Sequence, residues 1–61
     1  MPLITIKTVG EKTTEQKREV AKDITDTIIK NFKVPPEVIM IDIVEYGPDN
    51  FAVAGKLFRD Q

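Results

Sequence analysis

The sequence predicts an α/β (α+β) chain built on a single β-α-β unit with a short C-terminal hairpin. Three observations predict it. A run rich in β-branched residues, 3–9, ends at Gly10. A stretch with apolar residues at helical spacing follows, from about residue 14 to 33, and is stopped by Val34-Pro35-Pro36. A second β-branched run, 38–45, comes after the prolines. Strand, helix and strand in that order close as two parallel strands joined by a right-handed crossover.

Each element has a local cause. In LITIKTV, Ile4 and Ile6 point to one face, and Thr5 and Lys7 to the other. Gly10-Glu11-Lys12 forms a loop. Thr13 suits the helix N-cap, and Gln16 stands three residues later, the spacing at which the two residues cap each other. Val20, Ala21, Ile24, Ile28 and Phe32 recur as one apolar stripe. Lys22, Asp26 and Lys30 are spaced to pair on the solvated side. The prolines end the helix because they have no N–H to donate and push the residue before each of them out of helical geometry. In the second strand, Ile39, Ile41 and Ile43 form one face, and Met40, Asp42 and Val44 the other. Gly47-Pro48-Asp49-Asn50 is a turn, 51–55 is a short apolar strand or hairpin, and 56–61 is a polar tail holding Leu57 and Phe58.

Composition narrows the chemistry. The 61 residues suit one domain spanning 1–61. Nine basic and ten acidic residues give a net charge of −1, without the basic excess of a nucleic-acid binder. There is no Cys and no His. Disulfides, thiolate nucleophiles, imidazole catalysis and the usual zinc sites are therefore excluded, and no metal is expected. No apolar run approaches the ~20 residues of a membrane span, and the N-terminus lacks the basic start and long apolar run of a secretory signal. The expected location is cytoplasmic, with no membrane partner.

A chain this short buries only about 60% of the surface its unfolded form exposes, and a two-stranded sheet is not stable alone. One helix covers one sheet face. The face carrying Leu3, Met40 and Val44 has no other element in the chain to cover it. Self-association is the remaining remedy.

Pro2 stands between the initiator Met1 and the first strand. Methionine is trimmed before small residues such as proline, which would leave a free secondary amine. An α-amino group ordinarily titrates at about 7.7–8.0, and burial against apolar walls lowers that value. Such an amine can serve as a general base or attack a carbonyl. The bland alternative is an ordinary residue after the start codon.

Pro2-Leu3-Ile4, Thr14-Glu15-Gln16-Lys17, Val38-Ile39-Met40-Ile41 and Phe51-Ala52-Val53-Ala54-Gly55-Lys56 together resemble the 4-oxalocrotonate tautomerase family, at matching spacing over residues 2 to about 57. The resemblance implies sheets joined between subunits and a homohexamer assembled as a trimer of dimers. It also implies a cofactor-free keto–enol tautomerase (an isomerase) that shifts a proton in 2-hydroxy-dienoate or enol forms of small 2-oxo acids. Pro2, freed of Met1, then resembles the general base. Lys12 falls where the family has a loop arginine that binds a substrate carboxylate, and Phe51 where it has an apolar wall that helps depress the proline amine. Met40 falls where the best-known members have a second arginine that polarises the 2-oxo group.

Two of these positions depart from the pattern. Lys12 offers a point charge instead of a bidentate fork; it either binds a carboxylate or is a solvated loop lysine. Met40 carries no charge, and strand packing explains it. Lys7, Lys56 and Arg59 are the candidates for a replacement cation from a neighbouring subunit, and Asp42 could anchor one. An apolar pocket with Met40 and Phe51 favours an aryl or alkyl 2-oxo acid such as phenylenolpyruvate over a dicarboxylate. The alternatives are a related proline-dependent lyase, hydratase or dehalogenase, and a non-enzymatic oligomeric module on the same scaffold.

Overall fold

The computed structural model describes residues 1–61. Strand β1 (Leu3–Val9) leads into helix α1 (Thr14–Phe32), and strand β2 (Met40–Tyr46) returns parallel to β1. The register sets Leu3 against Met40, Ile6 against Ile43 and Val9 against Tyr46. A second, antiparallel pair follows, β3 (Ala52–Val53) and β4 (Lys56–Leu57). This is the expected β-α-β arrangement with a short C-terminal hairpin.

The helix starts where Thr13 and Gln16 place it. The Gln16 amide donates to Thr13 Oγ1 at 3.1 Å, and the Thr13 amide donates to Gln16 Oε1 at 2.9 Å. Two otherwise orphaned donors at the helix start are thereby satisfied. At the other end Lys33 takes a left-handed conformation (φ 59°), and its amide closes on the Ile29 carbonyl at 3.0 Å.

Three details differ from expectation. The second strand begins at Met40, two residues later than 38, and ends at Tyr46. Pro36 has no N–H to lose at a helical first position, so Pro36–Val38 form a 3₁₀ turn. That turn is closed by the Ile39 amide on the Pro36 carbonyl at 3.1 Å. The helix stripe is also rotated. Ala21, Ile24, Thr25, Ile28 and Ile29 are half-buried; Phe32 is exposed, and Val20, 40% exposed, lines the cleft between helix and sheet. Each step of four residues overshoots a full turn by about 40°, so Phe32, eight residues after Ile24, has turned off the sheet and Ile29 takes its place. Finally, 56–61 is not a free polar tail. Lys56 and Leu57 pair with β3, and Phe58–Asp60 turn back as a 3₁₀ helix. The Phe58 amide donates to the Phe51 carbonyl at 2.8 Å, the Arg59 amide to the Pro48 carbonyl at 3.1 Å, and the Arg59 guanidinium pairs with Asp49.

The hairpin loop is Ala54-Gly55, both at positive φ (54° and 78°). Two consecutive positive φ values make the type I′ turn whose twist matches the strands it joins.

The molecule is extended. Its radius of gyration is 14.8 Å, against about 10.5 Å for a compact domain of this length. Not one of the 61 residues is fully shielded from solvent. Residues 48–61 are exposed throughout. Leu3 on the uncovered sheet face is 74% exposed, and Met40 beside it 49%. No helix is long and apolar enough to cross a membrane.

Candidate active site

Pro2 is half-buried immediately before β1, and its carbonyl accepts from the Met40 amide at 3.0 Å. The sheet ladder thus continues one step past the strand and holds Pro2 beside Met40. These two of the four expected site residues lie together at the start of the parallel pair.

The other two lie at its far end. Lys12 follows Gly10, whose amide donates to the Tyr46 carbonyl at 2.9 Å. Phe51 comes after the Gly47–Asn50 turn, which is closed by the Asn50 amide on the Gly47 carbonyl at 3.0 Å. The Phe51 ring lies 6.4 Å from that of Tyr46, tilted at 45°, within the range of a favourable aromatic contact. From Met40 to Tyr46 the strand advances about 20 Å at ~3.3 Å per residue. Within one chain, Pro2 and Lys12 therefore stand at opposite ends of the sheet.

A cleft of about 520 Å³ opens between the first turns of α1 and the sheet. Ile6, Ile43 and Val20 supply its apolar lining, and Thr8, Lys12, Glu15, Gln16, Lys17 and Glu19 its polar lining. Of the four expected residues it contains only Lys12. It is the gap that a single helix leaves over a strand pair, and it stands away from the proline.

The rim is organised by a residue that motif reading passed over. Glu45, near the end of β2, accepts the Lys12 amide at 2.7 Å through Oε2 and pairs with the Lys17 ammonium through Oε1. The Lys17 hydrogen bond, followed by the Lys12 amide, holds the Glu45 carboxyl below its ordinary 4.5. Desolvation pulls the other way and loses. The register Thr8–Glu45 sets this acid on β2 beside the point where β1 leaves the sheet for the loop. On the uncovered face, Thr5 Oγ1 donates to Asp42 at 2.7 Å, so Asp42 is engaged within its own sheet.

The family model described as tautomerase enzyme matches residues 2–61. The chain belongs to the tautomerase family. Among its relatives, the 2-hydroxymuconate tautomerase of Bacillus subtilis is 35% identical over 60 residues, covering 98% of this chain and 97% of its own. A solved homologue of 4-oxalocrotonate tautomerase superposes with a TM-score of 0.88 at 33% identity, covering 98% of both chains. A heterohexamer 4-oxalocrotonate tautomerase from Chloroflexus aurantiacus superposes at 0.84 and 28% identity, over 98% of this chain and 97% of that one. The tautomerase fold thus accounts for the whole length of the chain.

Proposed function

We propose that the protein is a keto–enol tautomerase that uses Pro2, freed of Met1, as its general base on enol or dienol forms of small 2-oxo acids. The observation that carries this reading is the match of the tautomerase family over residues 2–61, with a proline as its first residue. While Met1 is attached, the Pro2 nitrogen is an amide without basicity. Once Met1 is removed it is a secondary amine beside Met40, at a half-buried position that favours the neutral form. The free amine takes the proton of the 2-hydroxyl group and delivers it to a carbon of the conjugated chain. The enol becomes a ketone, and no atom is gained or lost.

Lys12 supplies the cation for a substrate carboxylate, and Phe51 supplies an apolar wall. Both follow the end of the strand pair that lies about 20 Å along β2 from the Pro2 end, a length greater than a small 2-oxo acid spans. The working site therefore forms where the Lys12 end of one chain meets the Pro2 end of another. Self-association, with a homohexamer as the proposed form, is supported by the absence of any fully shielded residue and by the exposed hairpin. Met40, uncharged beside Pro2, favours an aryl or alkyl 2-oxo acid over a dicarboxylate.

The test is ketonisation of 2-hydroxymuconate and phenylenolpyruvate, side by side, on protein shown by intact mass to begin at Pro2. Turnover of either, lost by about a hundredfold or more in Pro2→Ala in keeping with removal of a general base, is the expected result. Background rates on both would remove the tautomerase reading. Undiminished turnover in Pro2→Ala would remove Pro2 as the base.

A further inference from the structure

We propose that Glu45 is a positioning residue, fixing the Lys12 backbone so that the Lys12 ammonium is presented to a substrate carboxylate; the inference rests on the tautomerase reading above. The loop from Gly10 to Thr13 is held at three points. The Gly10 amide is bound to the Tyr46 carbonyl, and Thr13 is locked by its exchange with Gln16. Between them, the Lys12 amide is held by Glu45 alone, at 2.7 Å. Glu45 comes from β2, 33 residues along the chain, and is the one side chain that ties this part of the loop to the sheet.

The same carboxylate sorts the two lysines on the cleft rim. Its second oxygen pairs with Lys17, which removes that cation from play. The Lys12 ammonium makes no ion pair. One acid thus pairs with the helix lysine and leaves the loop lysine without an ion-pair partner, on a backbone it tethers to the sheet; Glu15 and Glu19 line the same cleft, and Glu15 is paired with Arg18. A lysine is a point charge on a flexible stem, so fixing its backbone matters more than it would for a bidentate arginine.

The experiment uses the Pro2-initiated chain with Glu45→Gln, Glu45→Ala, Lys12→Ala and the Lys12→Ala/Glu45→Ala double variant. Gln retains an acceptor for the Lys12 amide, and Ala does not. The expected result is a KM for 2-hydroxymuconate raised about fivefold to tenfold in Glu45→Ala, the worth of one hydrogen bond. kcat should change less, and Glu45→Gln should lie nearer the wild type. In the Lys12→Ala background, removing Glu45 should move KM no further. Full additivity in the double variant, or an equal loss in Glu45→Gln and Glu45→Ala, would overturn the inference.

A readout free of catalysis accompanies it. The Lys12 amide proton shift should titrate with Glu45 on acidification in the wild type and lose that component in Glu45→Gln. Identical titrations would overturn the anchor even if the enzyme is active. If the wild type turns over neither enol, the tautomerase reading falls, and the amide titration still decides whether Glu45 holds Lys12.

Discussion

Ala54 is the residue in the hairpin whose conformation its own chemistry opposes. It sits at φ 54°, with Gly55 at 78°. An L-residue with a Cβ pays about 1–2 kcal/mol for the left-handed region, a cost that glycine escapes. Against this, glycine loses more backbone freedom on folding, by roughly 0.5–1 kcal/mol. Ala54→Gly should therefore stabilise the chain by about 0.5–1 kcal/mol. At roughly 4–8 °C per kcal/mol for a domain of this size, that is about 2–8 °C in Tm. The reciprocal change is cleanly diagnostic. A Cβ at Gly55 meets nothing within 4 Å, so Gly55→Ala adds no clash, and its cost is backbone strain alone. It should lower Tm by a comparable amount. Both are read by thermal melts at one fixed protein concentration, because association would shift Tm by mass action. A lower Tm in Ala54→Gly, or an unchanged Tm in Gly55→Ala, would refute the turn reasoning.

Three further outcomes are expected. Thr13→Ala removes the acceptor for the Gln16 amide and should cost about 1 kcal/mol in urea unfolding; an unchanged midpoint would mean that water replaces the cap at no cost. Because Glu45 titrates below its ordinary 4.5 in the folded chain, the unfolded chain binds more protons in that range. The contribution is complete above that value and is lost as pH falls through the lowered one. The wild type should lose Tm faster than Glu45→Gln below pH 4.5, and parallel curves would sink the assignment. Met40→Arg places a charge beside Pro2 and should raise the ratio of kcat/KM for 2-hydroxymuconate over phenylenolpyruvate about tenfold to a hundredfold, the worth of a charged hydrogen bond; a ratio that stays flat would place the substrate carboxylates elsewhere.

What the sequence reveals here is what local interactions decide. Strand β1 was legible from its β-branched run ending at Gly10, and the helix start because Thr13 and Gln16 settle it within four residues. The start of β2 was not, because a proline pair that stops one helix can also open a 3₁₀ turn. Phe32 looked like core on a four-residue count and was carried off the sheet by accumulated rotation. In the site, Pro2 and Met40 are close because parallel register makes them so. The anchoring of Lys12 was hidden, since Glu45 reaches it across 33 residues and Lys17 across 28, and no local pattern marks an acid at a strand end as a loop anchor.

The placement of Pro2 at one end of the sheet and Lys12 at the other has a genetic consequence. With the shared site proposed above, a chain with Pro2→Ala and a chain with Lys12→Ala are each defective at every site they build alone. Unfolded together and refolded as a mixture, they create some junctions in which the intact proline of one meets the intact lysine of the other. Two impaired preparations should then yield a more active one, in proportion to how thoroughly the chains exchange.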